Sequence, residues 1–215
     1  MNGVLKNNSD ILVKRHIEKN MMTYIISFLC IGIGVVLGVY SIKYMQSADK
    51  GNINQWLNTA ISSLQTKDIG LKALFAESLK NYLPLVFALW FLGLTIIGIP
   101  FIIIIDLIKG YTLGFTFSCI ISNYAMKGFG AAMFGVVLQN LIFIPCIVFL
   151  SVLSMEFSRS ILRDKTMILD RSTFLSCVLN YTLVYGVVFL IMLVGSGLET
   201  VVAPRMIKYF VGAII

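Results

Sequence analysis

At 215 residues the chain is long enough for one or two soluble domains, but 58% of it is apolar and only 13% charged, where a soluble domain carries roughly a quarter charged residues. A soluble core cannot hide that much apolar surface, and apolar runs of about 20 residues, each able to cross roughly 30 Å of hydrocarbon, recur along the sequence. The formal charge of +7 does not point to nucleic acid, because the 17 Lys and Arg are scattered between apolar runs with no basic stripe interleaved with aromatics.

Residues 1–20 form a basic tail, with Lys6, Lys14, Arg15 and Lys19 set against Asp10 and Glu18. By the positive-inside rule this tail stays in the cytoplasm. Residues 21–42 form the first transmembrane helix. The run is too long for the apolar core of a signal peptide and has no clear cleavage site, so it is expected to stay attached. It carries Gly34 and Gly38 in a GxxxG spacing, which lets another backbone approach closely.

Residues 43–82 are the longest polar segment and lie outside if the tail is inside. Within it Ile53, Trp56, Leu57, Ala60, Ile61 and Leu64 fall at helical spacing and make one apolar stripe. Such a stripe has to dock on the membrane surface, on the protein's own helices or on a partner protein. Asp68 is placed to cap a second amphipathic helix through Leu71, Leu74, Phe75, Leu79 and Tyr82, leading to the next span.

The second span is expected over 84–105, kinked by Pro100 near its inner end, with Asp106 and Lys109 marking a short turn. The run 110–123, with Gly110 and Gly114 four apart, is near the short limit for crossing. It reads as a tilted span or as a re-entrant segment, the span being favoured. The fourth span, 131–153, contains Gln139 and Asn140. Amides at membrane depth need partners, so both are expected to face the bundle and bond backbone groups freed near Pro145, as interhelical glue, a polar lining or a hinge.

Arg159, Arg163, Lys165 and Arg171 place the segment 155–172 inside. The fifth span, 174–195, runs outward, and residues 199–215 form an amphipathic tail expected to start at Pro204 and lie on the outer interface. The fold expected is an all-α polytopic transmembrane bundle of about five spans, four of them in the block 83–198, with an outer amphipathic helical loop. A re-entrant 110–123 run would give four crossings and return the carboxyl end to the cytoplasm.

No chemistry announces itself. The single histidine, His16, lies in the tail, and there is no HExxH, no GxSxG, no intramembrane aspartate pair and no P-loop. Cys30, Cys119, Cys146 and Cys177 lie in apolar runs without a CxxC pair and read as packing residues. Asp106, Glu156 and Glu199 all fall at the expected span ends, where an interfacial position accounts for them. No cofactor or metal is therefore expected, and the chain reads as a scaffold that is not an enzyme.

The segment Lys109-Gly110-Tyr111-Thr112-Leu113-Gly114-Phe115 resembles the KG(x)xxLGF element of the stage II sporulation protein M family. Leu138-Gln139-Asn140-Leu141-Ile142-Phe143-Ile144-Pro145 is similar to its polar-then-proline signature, and Gly197, Glu199 and Pro204 to its carboxyl-terminal Gly-x-Glu and proline, although the usual Thr-Pro reads Ala203-Pro204 here. The resemblance spans nearly the whole chain. It implies a mother cell membrane protein of an endospore-forming bacterium, needed for septal peptidoglycan thinning and engulfment. Its implied partners are the cell wall hydrolases, stage II sporulation proteins D and P, which it helps to recruit or anchor at the septum.

Trp56 and Leu57 are the candidate partner-facing residues. Gly110, Gly114, Gln139, Asn140, Pro145, Glu199 and Pro204 are candidates for interaction or bundle packing, and a homo-oligomer through the GxxxG faces stays open. The alternative function is a small permease or channel subunit, motivated by the glycine-rich third run and the Gln139, Asn140 and Pro145 cluster. An intramembrane enzyme lacks any nucleophile and base that can be named.

Overall fold

Five long helices carry the chain in the computed structural model, which describes residues 17–46, 49–53, 55, 59, 71–132, 138–163 and 171–212. They are α1 (Met21–Tyr44), α2 (Leu71–Gly93), α3 (Gly98–Ala132), α4 (Leu138–Arg163) and α5 (Arg171–Gly212). Four contain apolar stretches long enough to cross a bilayer, Met21–Tyr44, Gly98–Ser122, Asn140–Arg163 and Ser172–Gly197, and α2 adds the shorter apolar stretch Leu79–Gly93. The all-α bundle of about five spans is therefore borne out.

Contacts between the helices fix their directions. Tyr82 of α2 stacks on Phe143 of α4 with ring centroids 3.9 Å apart, and the Leu89 carbonyl meets Ser154 further along both helices, so α2 and α4 run parallel. Ser154 also meets Tyr181 and Tyr185 of α5, while a Cβ on Gly195 would touch Ile142, so α4 and α5 are antiparallel. Lys19, just before α1, reaches Glu156 at 3.0 Å, whereas Ile31 packs on Val148 and Val152, so α1 is antiparallel to α4. The order is up, down, up, down, up. Helix α4 packs against each of the others, and half of its apolar span is buried against 28% for α1 and α3 and 22% for α5, which makes it the central helix.

The second and third spans differ from expectation. Helix α2 ends at Gly93, well before residue 105, and the chain reverses through residues 94–97 into α3. In that turn the Thr95 hydroxyl donates to the Leu92 carbonyl at 2.8 Å, and Gly98 N donates to the Thr95 carbonyl at 3.2 Å. A Cβ on Gly98 would overlap the Leu92 carbonyl oxygen, so glycine is required there. Pro100 falls in the first turn of α3, where its missing N–H costs no helical hydrogen bond, and so it starts a helix instead of kinking one. Pro84 is the proline inside α2.

Consequently no turn exists at Asp106 and Lys109. Helix α3 continues without a break through 35 residues, and the re-entrant reading of 110–123 falls away. Helix α5 likewise runs through Glu199 and Pro204 to Gly212 as one 42-residue helix, without the fresh start expected at Pro204.

Candidate functional site

The closest helix pair is α1 with α3. A Cβ on Gly34 would overlap the Leu107 carbonyl oxygen, and one on Gly38 the Tyr111 carbonyl oxygen. In return, a Cβ on Gly110 would strike the Ile31 carbonyl and one on Gly114 the Val35 carbonyl. The two GxxxG pairs are thus mated with each other within one chain, each glycine giving room to the opposing backbone. The register is constant at 79 residues from Ser27–Asp106 through Ile31–Gly110 to Val35–Gly114, so the two helices run parallel.

That register brings Asp106 into the middle of the bundle. Its side chain is fully buried. Oδ2 accepts from the Ser27 hydroxyl of α1 at 2.5 Å, and Oδ1 accepts from the Ser151 hydroxyl of α4 at 2.6 Å. No cation among the described residues pairs with it. The expectation that Asp106 sits at a span end is thereby overturned: it reads as interfacial only if the helix breaks beside it, and the helix does not break.

Ser151 opens a polar seam down α4. Ser151, Ser154 and Ser158 are all fully buried, and their spacing of three and four residues sets them on one helical face. Ser154 has one proton, for which the Leu150 carbonyl at 2.8 Å and the Leu89 carbonyl at 3.0 Å compete. Around it the Tyr185 hydroxyl donates to the Leu150 carbonyl at 3.0 Å, and the Tyr181 hydroxyl to the Trp90 carbonyl at 3.2 Å. Gly93 makes room for this cluster, because a Cβ there would overlap the Tyr181 hydroxyl. Ser158 donates to the Thr95 carbonyl at 2.7 Å and so pins the α2–α3 turn to α4. Trp90 Nε1 donates to the Thr182 hydroxyl at 3.2 Å, linking α2 to α5.

Five helices are therefore tied by side-chain hydroxyls, one carboxyl and backbone carbonyls in surroundings where an unmet polar group costs several kcal/mol. The chemistry available is that of a network of mutually satisfied groups. Among the described residues no three His, Cys, Asp or Glu side chains gather closely enough to hold a metal ion. Cys119 is buried, and Cys30, Cys146 and Cys177 are half-buried; all four are thiols outside any disulfide.

The residues singled out from sequence are dispersed. Gly110 and Gly114 form half of the α1–α3 contact. Gln139 and Asn140 lie in the first described turn of α4, and Asn140 is buried there. Pro145 sits on an exposed face of the same helix, two turns on. Glu199 and Pro204 fall on α5 beyond its apolar stretch. Trp56 and Leu57, with Ala60, Ile61, Leu64 and Asp68, lie outside the described residues. Sequence reasoning missed Ser27, Asp106, Ser151, Ser154, Ser158, Tyr181 and Tyr185. The serine triplet at one-face spacing inside an apolar run was the signal at hand.

Fold and seam together define a multi-pass helical membrane protein whose polar interior joins its helices. A model of the family described as Stage II sporulation protein M matches residues 27–204, and the chain belongs to that family of sporulation membrane proteins. Searches among curated proteins and among solved structures gave no match.

Proposed function

We propose that the chain is a non-enzymatic scaffold of engulfment, which recruits or anchors the peptidoglycan hydrolases, stage II sporulation proteins D and P, for septal wall thinning. Membership of the family supports the setting. The observation that carries the scaffold role is the closed hydrogen bonding of Asp106: each carboxyl oxygen is held by a hydroxyl from a different helix, so the buried acid braces α1, α3 and α4. The up-down order adds to this. The carboxyl end of α1, the 123–132 end of α3 and the 198–212 end of α5 all lie at the same end of the bundle, opposite the basic end carrying Lys19, Arg159 and Arg163. With the basic end cytoplasmic, those three segments reach out to where wall enzymes work.

The test is capture of both hydrolases on full-length protein from sporulating cells. Trp56→Glu with Leu57→Glu is expected to abolish co-purification while membrane insertion stays normal. Hydrolase recovery equal to wild type with the double variant sinks that interface.

One observation favours a second reading, a small permease or channel subunit: an acidic residue inside the bundle is the usual mark of an ion pathway. Asp106→Asn separates the two. A scaffold keeps septal thinning in the variant, since an amide still accepts from one serine. A permease loses its flux in liposomes.

A further inference from the structure

At the basic end, α1 and α5 flank α4 while scarcely touching one another. The gap between them is a cleft of about 710 Å³. Its long axis follows α4 from Leu153 to Arg163, a rise of about 15 Å at about 1.5 Å per residue. The two ends differ in chemistry. Towards the bundle centre the walls are Leu153, Phe157 and Val184; at the rim they are Lys19, Arg159 and Arg163.

Glu156 is the one carboxylate in the lining, and it is engaged by Lys19 at 3.0 Å. Arg159 and Arg163, one turn apart on α4 and both exposed, make no hydrogen bond or ion pair among the described residues. Two arginines thus line the mouth of a cleft whose floor is apolar and whose side opens between two helices that face lipid. Val184, Leu183 and Leu179 are exposed on that flank of α5. In a bilayer such an opening fills with an acyl chain, and the rim then meets the headgroup to which that chain belongs. Paired arginines suit a phosphate oxygen pair, and best that of a headgroup with no cation of its own to repel them.

We propose that this cleft binds one anionic phospholipid, its phosphodiester held by Arg159 and Arg163 and an acyl chain lying against Leu153, Phe157 and Val184. The lipid completes the contact between α1 and α5 that the protein leaves open. Asn180 and Ser160, also in the lining, supply neutral hydrogen-bond partners for the rest of the headgroup.

Purified full-length protein in neutral detergent is titrated with dioleoylphosphatidylglycerol while its melting temperature is followed. The wild type is expected to be stabilised, with dioleoylphosphatidylcholine giving little. Arg159→Gln with Arg163→Gln is expected to raise the half-effect concentration about tenfold or more. Neither arginine has a partner among the described residues, so melting without lipid should match wild type. Val184→Trp, which fills the acyl slot and leaves the arginines in place, should weaken the response similarly. Lys43→Gln, at the far end of α1, should leave it unchanged. An equal response from the double glutamine variant overturns the proposal, as does equal stabilisation by phosphatidylcholine. Stabilisation by glycerol phosphate or inorganic phosphate alone, at the same concentrations, also overturns it in favour of a free anion.

Discussion

Truncating Asp106 to alanine removes the acceptor for two buried hydroxyls at once. Each hydrogen bond is worth about 1 to 1.5 kcal/mol, and each serine can fall back on a carbonyl one turn earlier, so we expect a loss of about 2 to 3 kcal/mol. The triple variant Ser27→Ala, Asp106→Leu, Ser151→Ala replaces the whole cluster by apolar groups and is expected to recover most of that loss. Unfolding in detergent, read by thermal melting, compares the two. A triple variant weaker than the single one would show that the cluster contributes more than matched polarity. This position was not legible in sequence for a physical reason: the partners of Asp106 are 79 and 45 residues away. A lone acid beside Lys109 reads as a loop until those hydroxyls are known to reach it. Ser151, Ser154 and Ser158, by contrast, announce a polar face by spacing alone.

Between elements, the glycines decide how near two helices come. Gly34→Leu places a side chain where the Leu107 carbonyl and the Tyr111 amide already stand, and backbone cannot yield as a flexible side chain can. We expect at least about 2 kcal/mol of destabilisation and a measurable separation of α1 from α3. Gly32→Leu and Gly186→Leu, at positions where an added Cβ meets nothing within 4 Å, serve as controls and should melt like wild type. Each GxxxG pair was visible as a motif, but their mutual pairing was not. It requires both stripes at one depth and on parallel helices, which depends on where every intervening crossing begins. The displaced second span has the same origin: Pro100 reads as a kink from sequence, while the glycine at position 98 already closes a turn.

For the molecule as a whole, the alternation of directions puts the amino end of α1 and the carboxyl end of α5 on opposite sides. Tyr40 and Tyr44 flank Lys43 at the far end of α1, an aromatic and basic pair of the sort that sits at headgroup level. Single cysteines placed in residues 1–16 and 213–215, in a background lacking the four native ones, test this arrangement with a membrane-impermeant thiol reagent. We expect labelling from outside at the carboxyl end only. Labelling of both from one side would remove one crossing from the topology and with it the geometry on which the proposed anchoring of the hydrolases rests. The count of about five spans and the helical class were readable from apolar run lengths. The exact spans were not, because in hydrocarbon a run continues past a charge whenever another helix supplies its partner.

The 79-residue register between α1 and α3 also orders the birth of the protein. During synthesis α1 emerges first, yet its matching surface does not exist until Gly110 and Gly114 have been made. Meanwhile its stripe of glycines stands unmated in the lipid. A nascent chain halted after α2 therefore carries α1 without the helix against which its glycines pack. Completion of α3 is the step at which that face of α1 is first covered.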